Sequence, residues 1–164
     1  MLRALRRLPS LTGAPIRIAR RPGLSDRHGA SHAVTFLRAR RILFDCAPAE
    51  APRIFVHEVF HFVWLRAGNA ARASFSQMLA SEIEGGARGE LGWSAELRKC
   101  KLTEADQRNR TRRWREYCCE SFCDTAAWLY SGVERHDEFT LAKRYRKTRR
   151  QWFAGTLGGG QLPI

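Results

Sequence analysis

The sequence predicts an α+β fold in which a small N-terminal antiparallel sheet precedes a helical core. Two observations lead to this prediction. Short runs rich in Val, Thr, Phe and Ile, which are typical of strands, are concentrated in the first 45 residues. Beyond residue 51, apolar residues instead fill longer segments that are bounded by helix start and stop signals. The 164 residues, 44% of them hydrophobic, are enough for one domain with a core of its own.

Three strands are predicted near the N-terminus. Residues 16–19 alternate briefly between apolar and polar side chains, as an exposed strand does. The runs 33–37 and 41–45 are rich in apolar and β-branched residues and are separated by three residues. We therefore expect these two runs to pair as a hairpin.

Helices are predicted over much of the remaining chain. Pro52 fits the first turn of a helix that continues through the apolar run 54–65 and ends at Gly68. A second helix is expected over 71–83, and a short one after Ser94.

The longest predicted helix begins at Thr103. Its hydroxyl can cap the helix, with Asp106 three residues later, and helix-compatible sequence then continues to Gly132. We expect one helix of about 28 residues here. A last, basic helix is predicted over 137–153.

The two ends of the chain are expected to lie outside the domain. Residues 1–12 are rich in Leu and Arg and are predicted to be a flexible basic arm. Residues 155–164 are predicted to be a flexible Gly-rich tail. A single domain would then span 13–154.

The charge of the chain is strongly positive, because 29 Lys and Arg against 16 Asp and Glu give +13. Residues 1–41 hold ten Arg and a single acid, Asp26, and 143–150 is also dense in bases. Such a surface attracts polyanions through a long-range field that salt screens. No helix-turn-helix, ribonucleoprotein or zinc-finger pattern accompanies the charge, so we expect only weak, non-specific binding to nucleic acid.

Composition also indicates where the protein works. No segment of about 18 apolar residues is present, and the Arg-rich start lacks the apolar stretch of an export signal, so we expect no membrane partner. The five cysteines include no paired C-x-x-C spacing. This argues against a disulfide framework and favours a reducing, cytoplasmic location.

The most informative motif lies in the first predicted helix, where His57-Glu58-Val59-Phe60-His61 forms an H-E-x-x-H pattern. Histidines four residues apart lie one helical turn from each other, so both imidazoles can reach one metal ion with Glu58 beside it. Two hydrogen-bonded core histidines are the alternative, although burying both with a glutamate and no metal would leave polar groups unpaired. Catalytic zinc usually takes three protein ligands, so a third is required.

A second acidic pattern supplies candidates for that third ligand. Glu120 and Asp124 are four residues apart on one face of the long predicted helix. Together with the first motif, this pattern resembles the gluzincin type of zinc metallopeptidase. The resemblance implies a zincin-like core with two metal-binding helices, a Zn²⁺ cofactor, and peptides or proteins as substrates. It also implies His57, His61 and Glu120 as zinc ligands, Glu58 as general base, and Asp124 as hydrogen-bond acceptor for a ligating histidine.

Some assignments stay open at this point. Glu116 lies on the same predicted helix face and is the competing third ligand. Tyr117, Tyr130, His136 and Tyr145 are unranked candidates for stabilising an oxyanion. The alternative function is a basic nucleic-acid-associated or regulatory module with a structural or vestigial zinc site. Glu58 favours the peptidase, because a purely structural site of two histidines and a glutamate gives it no role.

Overall fold

The computed structural model describes residues 6–26 and 29–164, which form an α+β fold with a small N-terminal sheet and, within these residues, six helices. The strands are short. They are β1 (Leu11–Thr12), β2 (Arg17–Arg20), β3 (Ser25–Asp26), β4 (Gly29–Ala30), β5 (Ala33–Phe36), β6 (Arg41–Phe44) and β7 (Leu162–Pro163).

The main sheet has the strand order β2-β6-β5 and is mixed. β5 and β6 form the predicted antiparallel hairpin, in which Ala33 lies opposite Phe44. β2 pairs with β6 in parallel, with Arg17 opposite Arg41, so the prediction of a purely antiparallel sheet is wrong. Between β2 and the hairpin lies a further antiparallel pair, β3 with β4, so β2 does not continue directly into the hairpin.

The two ends of the described chain pair with each other. β1 and β7 are parallel, with Leu11 opposite Leu162. Leu162 is 4% exposed and belongs to the main hydrophobic core. Leu162, within the segment 155–164 predicted to be a tail, therefore lies in the core, and Leu11–Thr12 at the end of the predicted arm pairs beside it. Residues 1–5 of that arm lie outside the described residues.

The helices follow the strands in chain order. They are α1 (Ala51–Arg66), α2 (Asn69–Glu84), α3 (Trp93–Lys99), α4 (Glu104–Arg108), α5 (Arg112–Tyr130) and α6 (Lys143–Leu157). The last helix begins six residues later than its predicted start at 137. Among the described residues, none of these helices has both the length and the apolar character that crossing a bilayer requires.

The long helix expected from Thr103 is divided into α4 and α5, which corrects that prediction. Asp106 forms a capping box with Thr103, and its other carboxylate oxygen accepts a hydrogen bond from the Thr111 hydroxyl at 2.6 Å. Arg110 adopts a positive φ of 48° between the two helices. Thr111 then caps α5 by accepting from the Trp114 backbone. Asp106 therefore stabilises a break that helix propensity alone does not indicate.

An aromatic cluster joins α1, α2, α5 and α6. The Phe60 ring lies 5.8 Å from the Phe122 ring, and Phe122 stacks on Phe153 at 5.0 Å between centroids. Phe75 meets Phe122 edge to face. These side chains are 1% exposed or less. Their packing fixes α1 against α5. As a result, the face of α1 that carries the histidines lies against the face of α5 that carries the acids.

A buried ion cluster lies on another side of α5. Arg149 of α6 is fully buried and pairs with Glu82 and Glu90, each at 2.7 Å. Glu90 also pairs with Lys99 at 3.3 Å and accepts a hydrogen bond from the Tyr117 hydroxyl at 2.6 Å. Burial raises the pKa of Glu82, whereas at Glu90 the charge of Arg149 outweighs burial and lowers the pKa. The cluster ties α2, α5 and α6 to the loop before α3.

We expect Arg149→Leu to lower the free energy of unfolding at neutral pH by about 3–5 kcal/mol, because it leaves buried carboxylates without their main cation. Urea denaturation measures this change. Loss of Arg149 raises the pKa of Glu82 and Glu90 in the folded state. Protonation of these two carboxylates as the pH falls therefore stabilises the folded state of the variant. The destabilisation should therefore shrink as the pH falls.

Lys147→Leu is the matched control, because Lys147 is exposed on the same helix. Its free energy of unfolding should stay within about 0.5 kcal/mol of the wild-type value. Equal losses in the two variants would contradict the role given to the cluster.

Candidate metal centre

Helix α1 places His57 and His61 on its face toward α5. Their rings are 4.9 Å apart between centroids and nearly perpendicular, at 78°. The intervening Phe60 is buried in the aromatic cluster, which holds this turn of the helix in place. The spacing of four residues thus brings two imidazoles to one partly buried position.

His57 lies between two acids from α5. Its Nε2 is 3.2 Å from Glu120 Oε2, and its Nδ1 donates to Asp124 Oδ1 at 2.7 Å. Because a carboxylate only accepts, both ring nitrogens carry a proton in these contacts, Nδ1–H toward Asp124 and Nε2–H toward Glu120. A metal ion bound through Nε2 would take the place of the Nε2 proton and leave the other proton on Nδ1.

The electrostatics of this group favour a cation. Burial lowers the pKa of His57, but the charges of Asp124 and Glu120 outweigh it and raise that pKa well above its ordinary range. At Glu120, burial raises the pKa, but hydrogen bonding to His57 and the charges of His61, His57 and Arg98 lower it to about 2. The negative charge around the Nε2 atom stabilises a positive charge there, whether a proton or a metal ion carries it.

Asp124 is also the contact between α5 and α3. It is 2% exposed, and its second carboxylate oxygen accepts a hydrogen bond from the Ala95 backbone at 2.9 Å. Gly92 lies directly against this carboxylate, and a Cβ at that position would overlap it. The glycine is therefore required by the close approach of Asp124.

Arg98 of α3 holds the other oxygen of Glu120. The guanidinium nitrogen is 3.2 Å from Glu120 Oε1, while Glu120 Oε2 faces His57. The backbone carbonyl of Ser94 accepts a further bond from Arg98 at 3.0 Å. Glu120 is thus oriented from both sides and is 13% exposed.

Two cysteines of α5 lie against His61. The sulfur atoms of Cys119 and Cys123 are each 3.5 Å from its Nδ1. One ligand atom from each of His57, His61 and Cys123 lies within 4.8 Å of the others, so these three residues could hold a metal ion. Imidazole nitrogens and a thiol sulfur form a donor set that binds transition metals, so the residues present fit such an ion.

His61 and Cys119 favour each other's charged forms. Burial lowers the pKa of His61, but the hydrogen bond to Cys119 and the charge of Glu120 raise it to about 9. Hydrogen bonding from Cys123 and His61 outweighs burial at Cys119 and lowers its pKa to about 6. The site therefore contains a thiol that ionises readily next to the imidazoles.

Glu58, next to His57 on α1, contacts the sheet. Its Oε2 accepts a hydrogen bond from the Thr35 hydroxyl on β5 at 2.5 Å. Glu58 is 9% exposed, and with His57 it lines a cleft of about 930 Å³ between the β5 side of the sheet and α3. One carboxylate oxygen is held by Thr35, which leaves the other for a molecule in the cleft.

Trp93 forms part of the rim of this cleft and is 61% exposed. Its backbone is held in place, because the N–H donates to Glu138 at 2.8 Å. Glu138 in turn pairs with Arg53 of α1 at 2.8 Å. The exposed indole is thus carried on a well-anchored turn.

The structure places His61, Glu120 and Asp124 around His57, with Glu58 on the adjoining cleft wall. Among the described residues, the three ligand atoms that lie within 4.8 Å of one another belong to His57, His61 and Cys123, so the predicted ligand Glu120 is not in that group. Glu116, the competing ligand, instead pairs with Arg112 at 2.7 Å. Within the described residues, it makes no hydrogen bond or ion pair with either histidine.

The four candidates for oxyanion stabilisation are engaged elsewhere and do not line the cleft. Tyr117 donates to Glu90, Tyr130 stacks on Phe60, His136 bonds to Glu50, and Tyr145 donates to the Gly85 carbonyl.

Several contacts of the site carry only a weak sequence signal. One such contact is the approach of the glycine-rich stretch 85–92 and Trp93 to the predicted site. Another involves Cys119 and Cys123, which are four residues apart and so share a helix face. The contacts from Thr35 and Arg98 join residues from separate elements. Single residues of these types carry no pattern that links them to a site.

Compared with known proteins, the chain matches no family model, no curated protein and no solved structure.

We expect Gly92→Ala to push the Asp124 carboxylate away from His57. The backbone there is extended, with φ of −179°, so the conflict lies with Asp124 and not with the torsion angle. The free energy of unfolding should fall by about 1–3 kcal/mol, as is usual for overpacking. The pKa of His57 should fall toward its ordinary value, because its main opposite charge recedes; an NMR titration of the imidazole measures it.

Gly155→Ala is the control for this variant. Gly155 lies in α6, and a Cβ there would meet no atom within 4 Å. Its free energy of unfolding should be unchanged or higher by up to about 1 kcal/mol, and the His57 pKa should not move. An unchanged His57 pKa in Gly92→Ala would contradict the close approach.

Proposed function

We propose that this protein is a zinc-dependent metallopeptidase with a zincin-like helical core. One observation carries the proposal. His57 presents its two ring nitrogens to two acids of α5, Asp124 at 2.7 Å and Glu120 at 3.2 Å, one turn from His61 and beside Glu58. A pair of ordinary core histidines gives no reason for this alignment with two acids and a cleft.

His57, His61 and Glu120 would hold the metal. Two imidazoles and a carboxylate are a donor set that catalytic zinc uses, which leaves one position open. When bound, zinc lowers the pKa of a water molecule to about 7 and polarises a carbonyl group. Cys123 lies within reach of the same histidines and offers a further sulfur donor.

Glu58 would act as general base and then as general acid. It accepts the proton of the attacking water and delivers it to the leaving nitrogen of the peptide bond. Thr35 holds one oxygen of this carboxylate, so the other keeps a fixed direction toward the cleft. Thr35 would thus position the Glu58 carboxylate for proton transfer.

Asp124 and Arg98 would act as positioning residues. Asp124 keeps the proton of His57 on Nδ1, so Nε2 stays available as a ligand atom. Arg98 holds the outer oxygen of Glu120 and keeps the inner one on the side of His57.

The substrate would be a peptide or a protein segment. β5 is at the edge of the main sheet. Its Ala33 lines the cleft and its Thr35 bonds to Glu58. An extended peptide could pair with this edge by strand addition, which places its backbone alongside Glu58. The cleft volume of about 930 Å³ is in the range of pockets that hold several side chains.

We expect the purified protein to contain about one zinc ion per chain, and Glu58→Gln to keep that ion while losing hydrolysis by about 100-fold or more. The carboxamide cannot accept the proton of the water. Elemental analysis measures the metal, and mass spectrometry of a peptide library measures cleavage.

His57→Ala is the companion variant and should lose both metal and activity. Wild-type rates in Glu58→Gln would remove Glu58 from the mechanism. Protein that takes up no metal even after zinc supplementation would overturn the proposal.

We expect Glu120→Ala to weaken zinc affinity far more than Glu116→Ala, because only Glu120 contacts a histidine. Asp124→Ala should weaken it by about 10- to 100-fold, the usual effect of removing the partner of a ligating histidine. Competition with a chelator measures all three affinities. A larger effect at Glu116 than at Glu120 would reassign the third ligand.

A second candidate function is supported by a basic cavity on another face. This cavity, of about 520 Å³, contains Arg7, Lys143, Lys147 and Arg150, and Arg150 lies 4.7 Å from the Trp128 ring centroid. Phosphate groups of nucleic acid fit such a surface. Tight, sequence-selective binding that persists at physiological salt would favour a nucleic-acid-associated module, whereas binding that fades with salt fits the peptidase.

A further inference from the structure

Most charged groups of the cleft already have partners within the protein. Arg53 pairs with Glu50 and Glu138, and Arg98 pairs with Glu120. Each of the cleft acids is also engaged: Asp124 with His57, Glu116 with Arg112, Glu138 with Arg53, and Glu58 with the Thr35 hydroxyl. Among the described residues, Glu58 is the only one of these four acids without a basic side chain as a partner.

Two cations of the cleft lack such partners. Lys101 and Arg113 both line it, and both are exposed. Within the described residues, no carboxylate lies within 4.0 Å of either side-chain cation, and neither side chain makes a hydrogen bond. Lys101 and Arg113 therefore give the cleft a positive region that, within the described residues, no ion pair neutralises.

Arg113 lies in the first turn of α5, where the helix field disfavours a cation and no acid is present in that turn. Hydrogen bonds from Thr111 and Thr103 lower the pKa of Asp106, which precedes α5, and the charge of Arg113 lowers it further. Within the described residues, however, the side chains of Arg113 and Asp106 form no ion pair. Lys101 follows the end of α3, so the two cations come from the ends of two helices that pack on each other. An unfavourable charge that faces a cleft is a feature that a bound anion would relieve.

We propose that the cleft selects peptides with acidic side chains, whose carboxylates contact Lys101 and Arg113. The inference rests on the proposed function in one respect, that the cleft receives peptides. Arg113 can bind a carboxylate through two parallel N–H groups, and Lys101 offers a compact charge beside it. The exposed Trp93 on the same cleft offers an apolar surface to neighbouring residues of the peptide.

The test compares three fluorescein-labelled peptides by anisotropy at low salt with zinc-supplemented wild-type protein. One is an alanine heptapeptide with two glutamates and an amidated C-terminus, the second replaces both glutamates by glutamine, and the third is the glutamine peptide with a free C-terminal carboxylate. Mass spectrometry at the end of the measurement checks that each peptide is intact. We expect the glutamate peptide to bind about tenfold more tightly than the amidated glutamine peptide, since an exposed ion pair contributes up to about fivefold.

The double variant Lys101→Gln with Arg113→Gln should lose this difference. Its matched control is Arg108→Gln with Lys147→Gln, which removes the same charge from exposed positions outside the cleft lining. The control should retain most of the preference for the glutamate peptide. It lowers the overall positive charge as much as the cleft variant does, but it leaves the local contacts at Lys101 and Arg113 in place. Equal losses in both variants, or no preference in the wild type, would overturn the proposal.

The third peptide separates the two sources of a carboxylate. Tight binding of the free-acid glutamine peptide alone would assign Lys101 and Arg113 to a terminal carboxylate and overturn the preference for acidic side chains. The preference for acidic peptides and the proposed peptidase function can be contradicted separately. Preferential binding without hydrolysis supports the acidic-peptide inference and contradicts the peptidase, whereas hydrolysis of the library with no enrichment of Asp or Glu near the cleaved bonds does the reverse.

Discussion

The carboxylate of Asp124 is the group on which the arrangement of the site depends. It is buried on α5, accepts a hydrogen bond from His57 on α1, and accepts another from the backbone of Ala95 on α3. A buried charge without such partners is strongly destabilising. The bonds that satisfy Asp124 therefore also fix three helices relative to one another. Glu120 and Arg98 face each other as a consequence, because each is carried on one of those helices.

Helix α5 combines three different surfaces around one axis. Glu120 and Asp124 face the histidines, Phe122 enters the aromatic cluster, and Tyr117 and Ser121 contact the buried Glu90. The second half of the helix thus has almost no side in contact with solvent. A polar site and a buried ion cluster on adjoining sides of one helix restrict its rotation more than an apolar face alone, since each hydrogen bond has a direction.

Helical spacing was sufficient to predict that His57 and His61 share one helix face and that Glu120 and Asp124 share another, because residues four apart share a face whatever the rest of the fold does. The break before Thr111 was not predictable in this way, since Asp106 bonds to both sides of it and helix propensity does not report such a contact. The parallel strand β2 and the close approach at Gly92 depend on chain reversals and on packing between separate elements. Contacts of that kind leave no local pattern in a single sequence.

The pairing of β1 with β7 has a consequence for the order in which contacts form during folding. Leu11 and Leu162 are 151 residues apart in the sequence and lie side by side in the fold. Such a distant contact forms late, because closing so long a loop is entropically unfavourable. The buried Leu162 therefore joins the hydrophobic core late in folding. Folding intermediates in which β1 and β7 are not yet paired would expose the apolar surface that Leu162 covers.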